Sequence, residues 1–529
     1  MTLRPATGAY VVALAVLFLF LGPRAAGAHA VLEATTPAAE AVVAEAPRFV
    51  ELRFDESVDA RIGGVQVLRP DGTRADTGRV EVADGGSVVR VPVDAGAEGT
   101  YTVAWRAVSA DNHPLTGTFV FSVRARSDAA RAAASADAGS LRPLLGGAAR
   151  WLAFAGAFAA VGALAVRRII NDLLPEPGDR RLRLLTIAAA ATTTVSVAVT
   201  LLVTVADASG RDLAGAATVL PGAVGSTHLG RGATTHAGLA ALTGVLALVG
   251  WKRRHGQALL GASALGALLS PSLAGHAATA DPAAVAVTVD ALHLTAGALL
   301  VGGLLALAAV APLLVAPGRL LQRFSAVALP AAAVILATGA SSAWIQAGSW
   351  PALTSTTWGR LIGVKVAGFT GLVVLGALNR RALANGAAHT GRVLASVRVE
   401  LMVAALVLAA TTLVTNRAPA RSEYTRPVAA RLDTPTGVVS LTVGPARVGT
   451  NEMHLYFLDR AGRQRPVDTV EATVTTGDAV PRKVLLTPVT AAHFSDYDLS
   501  LPTPGRWTIT ITSIRDGRSE TTTATLPVR

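Results

Sequence analysis

The sequence predicts a mixed fold in three parts: an N-terminal β-sandwich of Ig-like size, an eight-helix transmembrane bundle and a C-terminal β-sandwich. Composition is the first reason, because 51% of the 529 residues are hydrophobic and only 16% are charged, which is typical of a polytopic membrane protein. The second reason is a run of eight apolar segments of membrane length in the middle of the chain. The third is that both flanks carry short stretches of alternating polar and apolar residues, separated by turn residues.

Residues 1–28 have the pattern of a secretory signal peptide. A basic residue precedes an apolar core at about 10–21, and residues 26–28 (AGA) place small side chains before a cleavage site. Cleavage after this segment would make His29 the N-terminal residue of the mature chain, whereas an uncleaved membrane anchor is the alternative. As an N-terminal residue, His29 would offer two nitrogen donors, its α-amine and its imidazole.

Residues 29–125 are predicted to form the first β domain, in which alternating stretches such as VELRF (50–54) are separated by glycine-containing turns. The segment SADNHPLTG places Asp111 and His113 in the loop between the last two strands. A carboxylate and an imidazole at this spacing can reach one cation, although a turn-capping Asp beside a surface His is the commoner meaning of that pattern alone. With the two nitrogens of His29 they would make a tetragonal set of three nitrogens and one oxygen, which favours Cu(II).

This combination resembles the CopC family of periplasmic copper-binding proteins. The matching text is HAVLEATTPA at 29–38 and VSADNHPLTGTFVFSV at 108–123, and the resemblance extends over the whole domain. It implies that His29, Asp111 and His113 are the Cu(II) ligands. Some members of the family also have a methionine-rich Cu(I) site, which we expect to be absent because this domain contains no methionine.

A membrane domain is predicted over residues 147–416, after a linker at 126–146 that is rich in Ala, Ser, Asp and Arg. Each of the eight apolar segments is long enough to cross about 30 Å of hydrocarbon. We place them at 147–167, 184–205, 234–251, 258–275, 286–311, 325–347, 359–378 and 396–415. Lys and Arg are concentrated in the first, third, fifth and seventh loops, whereas the fourth and sixth loops have none. The positive-inside rule therefore predicts that these odd-numbered loops are cytoplasmic and that both mature termini lie outside the cell membrane.

Three candidate site residues belong to one membrane-length segment, residues 275–304. His276 stands near its start, and Asp290 and His293 lie inside it. Ionisable side chains are costly in hydrocarbon and usually mark an ion or substrate pathway. Asp290 and His293 are three residues apart, so a helix would place both on one face, where Asp290 either ligates a metal or orients His293. Lys365, in the seventh segment, is expected to snorkel outward, and pairing with Asp290 is the alternative.

The predicted topology sorts the other histidines of the membrane domain. His228 and His236 fall at or near the outer half of the membrane, and His236 is a further candidate metal ligand. The alternative is that such histidines only form hydrogen bonds to a neighbouring helix. His255 and His389 fall in predicted cytoplasmic loops, where we expect them to be solvated.

The membrane domain is similar to the CopD family of inner-membrane copper proteins. The similarity is carried by GHAA (275–278), DALHLTAGALLVGGL (290–304), RFSAVALPAAAVILATGASSAW (323–344), STTWGRLIGVKVAG (355–368) and LGALNRR (375–381). The sequence departs from the family at Leu300, where members usually have Trp. The resemblance implies copper uptake or copper resistance, and it leaves the oxidation state of copper in the bundle open.

Residues 425–529 are predicted to form a second exported β domain. The segment LPTPGRWTITI near its end resembles the YtkA-like domains that are often attached to such copper proteins. Met453, His454 and His493 are candidate soft or borderline metal ligands, with the run Asn451–His454 at a strand start as the better candidate. Ordinary packing or surface positions are the alternative for all of them.

Several function classes lack support in the sequence. The net charge of +12 sits largely in short loops between apolar segments, so it gives little reason to expect nucleic-acid binding. There is no cysteine, and any metal must therefore be held by His, carboxylate, Met or a terminal amine. No phosphate-binding GxxxxGK[ST] loop is present, so ATP-driven pumping is not expected.

The sequence favours a copper-handling membrane protein that captures Cu(II) outside the cell membrane and passes copper across it. The alternative is a membrane-tethered copper buffer or sensor without transport. An enzyme built on a copper brace, with an N-terminal His and a second His, is disfavoured because Asp111 would fill a fourth equatorial position. The expected partners are copper ion, the lipid bilayer and, as a further candidate, a periplasmic copper chaperone.

A fragment that starts at His29 should bind one Cu(II) tightly, and one extra residue before His29 should weaken that binding strongly, because the ligand amine is then displaced. Titration of both fragments against a competing chelator measures the difference. Equal affinity of the two fragments would contradict the role of the terminal amine.

Overall fold

The computed structural model describes most of the chain, in two compact units. The first unit is Met1–Gln346 with Leu361–Ala418, and the second is Ala347–Arg360 with Pro419–Arg529. The described residues are 32–37, 41–54, 57–109, 114–127, 141–279, 282–314, 317–384, 390–415, 417, 420, 424, 427–459, 465–477 and 479–528. The predicted signal peptide and the greater part of the predicted linker lie outside them.

The N-terminal part forms two β-sheets around one apolar core. Its strands are β1 (Leu32–Thr36), β2 (Val42–Val43), β3 (Phe49–Phe54), β4 (Val58–Asp59), β5 (Val65–Leu68), β6 (Glu81–Ala83), β7 (Val88–Pro92), β8 (Gly99–Ser109) and β9 (Pro114–Val123). One sheet has the order β1-β3-β7-β6, and the other has the order β2-β9-β8-β4 with β5 also paired to β8. Val50, Leu52 and Phe54 are buried on one face of β3, as their alternation predicted.

Helices make up the middle of the chain. They are α1 (Arg142–Ile169), α2 (Glu176–Ser209), α3 (Leu213–Ser226), α4 (His228–Val249), α5 (Arg254–Leu269), α6 (His276–Thr279), α7 (Ala283–Gly297), α8 (Gly303–Val310), α9 (Pro317–Ala347), α10 (Trp350–Ser355), α11 (Thr357–Ala384) and α12 (Thr390–Thr415). Among the described residues, seven spans are long and apolar enough to cross a membrane. They contain α1, α2, α4, α7 with α8, α9, α11 and α12, which match seven of the eight predicted segments.

The remaining predicted segment, 258–275, which is the fourth in chain order, differs from the expectation. Its α-helix, α5, has 16 residues and gives way to a 3-10 turn at Ser270–Leu273. Pro271 explains the change, because proline lacks the amide hydrogen that an α-helix would need there. The 14-residue apolar α3 was not predicted; it begins after Asp212, whose carboxylate accepts a hydrogen bond of 2.7 Å from the amide of Gly215.

The basic residues of the first, third and fifth loops meet at one end of the bundle. Arg167 forms an ion pair of 2.7 Å with Asp179, and its guanidinium lies 4.4 Å from the centroid of the Trp251 ring. The indole nitrogen of Trp251 also donates to Asp179 at 2.8 Å. Arg323 donates to Asp172 at 2.8 Å, which joins α9 to the first loop. The structure therefore places the first, third and fifth loops at the same end of the bundle, as the sequence predicted.

Glycines allow the span of α7 and α8 to approach α1 closely. The two helices are joined by a π-helical turn at Ala298–Gly302. A Cβ atom added to Gly162 of α1 would collide with the backbone of Gly302, and one added to Gly302 would collide with the carbonyl of Phe158. Small residues at such contacts are typical of helix packing in membranes. This contact fixes the span that carries Asp290 and His293.

The second unit contains a β domain of two sheets, as predicted. Its strands are β10 (Val428–Thr434), β11 (Gly437–Gly444), β12 (Gly449–Leu458), β13 (Thr469–Thr476), β14 (Arg482–Lys483), β15 (Thr487–Thr490), β16 (His493–Leu501), β17 (Gly505–Arg515) and β18 (Arg518–Val528). The sheets have the orders β10-β11-β12-β16-β15 and β14-β13-β17-β18. Leu455, Phe457 and Trp507 belong to the core between them.

A buried carboxylate ties several segments of the N-terminal domain together. The side chain of Asp76 is fully buried and accepts hydrogen bonds from the amides of Val67 at 2.8 Å and Gly78 at 3.0 Å and from the Arg74 guanidinium at 2.6 Å. Burial alone would raise the pKa of Asp76, but these hydrogen bonds outweigh it and hold the pKa below its ordinary value.

Asp76→Asn should lower the stability of the N-terminal domain by about 1–3 kcal/mol, because buried donors lose an ionised acceptor. The pKa of Asp76 is lowered on folding, so its contribution is present above the unfolded-state pKa of about 3.9 and is lost as the pH falls through the folded-state pKa. Hydrogen exchange of the β5 and β8 amides in the full-length protein should be faster in the variant at pH 7, with the difference shrinking at acid pH. Asp94→Asn, at an exposed ion pair with Arg69, should change exchange little.

Candidate metal centre

The three ligands predicted in the N-terminal domain, His29, Asp111 and His113, lie outside the described residues. The strands that flank them, β1, β8 and β9, are described. The pairing of these strands shows at which end of the domain β1 begins and at which end β8 and β9 adjoin residues 110–113.

Both attachment points lie at the same end of the domain. Leu32, at the start of β1, pairs with Phe54 at the end of β3. Ser109, at the end of β8, pairs with Val58 of β4, which follows β3 in the chain. Val108 pairs with Pro114 across the loop that carries the predicted ligands. The topology therefore supports a site at this end.

A cavity of about 1040 Å³ separates this end of the domain from the helices. Ser109, which directly precedes the 110–113 loop, lines it on the side of the domain. His228, at the N-terminus of α4, and Ala278, two residues after His276, line it on the side of the helices. The cavity thus adjoins Ser109, the last described residue before the predicted capture loop, and Ala278 in the predicted entry segment.

The N-terminal domain rests on the helices beside this cavity. Ile62 packs against an apolar cluster formed by α2 and α3, which includes Val205 and Ala216. The guanidinium of Arg106 donates to the carbonyl of Asp207 at 3.4 Å, near the end of α2. Helix α3, which was not predicted, is therefore part of the surface that supports the domain.

His293 is held by a threonine of another helix. Its Nδ1 lies 2.9 Å from Oγ1 of Thr338 on α9. The same hydroxyl lies 2.5 Å from the carbonyl oxygen of Val334, to which it donates. Because a hydroxyl has a single proton, Oγ1 accepts from Nδ1–H of His293, and Nε2 keeps its lone pair. In neutral His293, Nε2 is thus the nitrogen that could bind a metal.

A glycine on α9 makes room for this imidazole. A Cβ atom added to Gly339 would lie 3.3 Å from Cε1 of His293, which is tighter than an ordinary contact. A larger side chain at Gly339 would therefore press on the ring edge between its two nitrogens.

Asp290 is held from the turn that follows α5. The hydroxyl of Ser272 donates to Oδ2 of Asp290 at 2.6 Å. Lys365 of α11 interacts electrostatically with both Asp290 and His293, and all three side chains are partly buried. Of the two expectations for Lys365, pairing with Asp290 is therefore favoured over snorkelling.

The other predicted ligands of the bundle do not join this pair in one group. Nε2 of His236 is buried and has no hydrogen-bond partner among the described residues. His276 begins α6, but its side chain lies outside the described part of the chain. Within that described part, no group of three or more His, Cys, Asp and Glu side chains is placed to hold a metal ion. Asp290 and His293 remain the described core of the candidate site.

Sequence reasoning missed Ser272 and Thr338. Both are small hydroxyl residues inside apolar stretches, where many such residues bond their own helix, as Thr200 does with Ser196 at 2.8 Å. No local pattern distinguishes them, because their role depends on a partner 18 or 45 positions away.

In the C-terminal domain the run Asn451–His454 does not act as one ligand set. Met453 is fully buried in the core, whereas His454 lies on the outer face of β12. Neighbouring residues on a strand point to opposite faces, so Met453 and His454 cannot share a metal ion. The Asn451 side chain braces the preceding turn through the backbone of Arg447 and Gly449.

Three family models match the chain. The CopC domain model matches residues 32–124, the model for the copper resistance protein D-like N-terminal domain matches 140–286, and the copper resistance protein D model matches 318–414. These ranges confirm the two resemblances that the motifs of the N-terminal and membrane domains indicated. The YtkA-like resemblance of the C-terminal domain stays a prediction.

Curated relatives cover both the whole chain and its first domain. The copper transport protein CutJ of Bacillus subtilis (strain 168) is 27% identical over 523 residues, which is 94% of this chain and 95% of that protein. Copper resistance protein C of Escherichia coli is 34% identical over 106 residues, 18% of this chain and 82% of that protein. Its counterpart in Pseudomonas syringae pv. tomato is 35% identical over 106 residues, 19% of this chain and 83% of that protein.

Two solved structures that match the chain each cover a fifth of it or less. The crystal structure of CopC from Methylosinus trichosporium OB3b is 27% identical and covers 20% of this chain and 100% of that chain, with a TM-score of 0.16. PcoC, a methionine-rich copper resistance protein from Escherichia coli, is 30% identical and covers 18% of this chain and 100% of that chain, with a TM-score of 0.17.

Proposed function

We propose, from the premise that this chain belongs to the CopC and CopD families of copper proteins, that it captures copper outside the cell membrane and passes it across the bilayer. The pair Asp290 and His293 carries this proposal, because both lie inside a span of membrane length. A charged Asp at the centre of a membrane helix costs about 3 kcal/mol, and a helix that only anchors a domain has no need of it. The chain is a multi-pass membrane protein, and copper is its cargo.

Capture takes place at the N-terminal domain. His29, Asp111 and His113 bind Cu(II) there, the terminal amine of His29 supplying a further nitrogen. The cavity of about 1040 Å³ beside Ser109 supports a direct transfer from this domain to the helices. A capture site tethered beside an entry site raises the local concentration of metal without any new contact.

Entry takes place at the outer end of the bundle. His276 and His236 receive copper from the cavity, and His293 binds it deeper through Nε2. Asp290 supplies negative charge that partly offsets the charge of the arriving cation. The cation competes with Lys365 for Asp290, and the long lysine side chain can move towards the interface when it is displaced.

The orientation follows from the basic loops. The ion pairs of Arg167 and Arg323 lie at the end of the bundle opposite to the one on which Arg106 of the N-terminal domain rests. With the basic end in the cytoplasm, the N-terminal domain and the cavity face outward, where copper is captured.

Copper entry into proteoliposomes should be lost or at least tenfold slower in a His276→Ala/His293→Ala variant, because copper loses ligands along the path. A copper-sensitive dye inside the vesicles measures the initial rate. His255→Ala is the matched control, since this histidine is exposed at the start of α5. Copper binding without entry by the unaltered protein would instead favour a tethered buffer or sensor.

Thr338→Val should slow copper entry by about tenfold or more, because such partners of a metal-ligating His contribute 10–100-fold to affinity or activity. Valine has nearly the shape of threonine, so packing of α9 is kept while the acceptor for Nδ1–H of His293 is removed. Thr338→Ser restores the hydroxyl and should restore the rate. Equal rates for both variants would show that Thr338 does not orient His293.

A further inference from the structure

Two histidines on the outer face of the C-terminal domain lie within hydrogen-bond distance of each other. His454 is on β12 and His493 begins β16, and Nδ1 of His454 is 3.0 Å from Nε2 of His493. Tyr456 pairs with His493 across the two strands, and their rings are stacked with centroids 4.0 Å apart and planes 14° apart. The stacking fixes the plane of the His493 ring beside His454.

A carboxylate sets the proton on His454. Oε1 of Glu452 lies 2.8 Å from Nε2 of His454, on the side of the ring away from His493. An ionised carboxylate can only accept a hydrogen bond, so Nε2 carries the proton and Nδ1 keeps its lone pair. A carboxylate that orients the far nitrogen of an imidazole is a recurrent feature of metal sites.

A buried hydroxyl lies beside the two imidazoles. Ser495 follows His493 by two residues on the same face of β16 and pairs with His454. It is fully buried, and its Oγ has no hydrogen-bond partner among the described residues. Buried polar groups are rarely left in this state, so Ser495 is a second sign that a ligand belongs here.

We propose that His454 and His493 form a Cu(II) site, with Glu452 orienting His454 from outside the coordination shell. The two nitrogens are 3.0 Å apart. If each lies about 2.0 Å from the metal, the N–metal–N angle is roughly a right angle. This angle fits neighbouring positions of a tetragonal Cu(II) centre, and Cu(II) is also the divalent ion that such nitrogen ligands bind most strongly.

On binding, Cu(II) takes the place of the hydrogen bond between the two rings. The single proton of the neutral His493 ring moves from Nε2 to Nδ1 by exchange with water, so that Nε2 can bind the metal. Water fills the other coordination positions, so the site is open to exchange of copper with another carrier. The proposal concerns binding alone and does not rest on transport.

Cu(II) titration of the full-length protein in nanodiscs, with equilibrium dialysis against a competing chelator, tests the site. His493→Phe keeps a ring to stack on Tyr456 but removes the nitrogen, so it should bind one Cu(II) fewer than the unaltered protein. His255→Ala, which removes an exposed histidine of the first unit, should bind as many as the unaltered protein. The same number of Cu(II) ions bound by His493→Phe and the unaltered protein would overturn the proposal.

Glu452→Gln is a second variant that tests the site even if His493→Phe fails to fold. Glu452 is about half exposed, so the substitution should not disturb the strand. It should weaken the binding of one Cu(II) by about 10–100-fold, because the glutamine no longer orients His454 with a charge. Unchanged affinity of all bound Cu(II) in Glu452→Gln would overturn the role of Glu452 and the site with it.

Discussion

Ionisable side chains inside a membrane-length span are the constraint on which the bundle depends. Water cannot solvate them in hydrocarbon, so each must find a polar partner within the protein. The Ser272 hydroxyl donates a hydrogen bond of 2.6 Å to Asp290, and the Thr338 hydroxyl accepts one of 2.9 Å from His293. These partners come from the turn after α5 and from α9, and Lys365 comes from α11. Three separate segments are thereby arranged around the face of α7 that we propose as the copper path.

Close packing of backbones keeps that face in position. The π-helical turn between α7 and α8 begins at Ala298, shortly after His293, and its last residue, Gly302, contacts the backbone of α1. Turns of this kind are frequent at functional sites because they change the direction of side chains within one helix. The apolar face behind it is filled by small residues and by rings such as Phe158 and Phe324, which lie against Gly297 and Gly303.

Charges divide the first unit into two ends with different roles. At one end, Arg183 donates to the carbonyls of Ala247 and Leu248 at 2.8 and 2.6 Å, and so completes the C-terminus of α4. At the other end, Arg106 and Ile62 bring the N-terminal domain onto α2 and α3, beside the cavity. The basic residues that indicate topology in the sequence thus also stabilise helix ends, and the opposite end is left for the exported domain.

Much of the fold could be predicted because it follows from local patterns. Alternation placed Val50, Leu52 and Phe54 in the core, and apolar length identified seven spans. The shorter α5 was missed although Pro271 marks its end, and α3 was missed because its composition resembles that of a loop rich in small residues. In the C-terminal domain the twofold period of a strand could have separated Met453 from His454.

For the candidate sites, the sequence predicted which residues could bind a metal but not the partners that hold them. The spacing of Asp290 and His293 put both on one helix face, since a helix brings residues three apart together. By itself the sequence thus determined the strands, the spans and the ionisable residues, because periodicity and composition are properties of neighbouring positions. The tertiary structure alone decided that Thr338 orients His293, that Ser272 holds Asp290, and that His454 meets His493, because each of these contacts joins residues far apart in the chain.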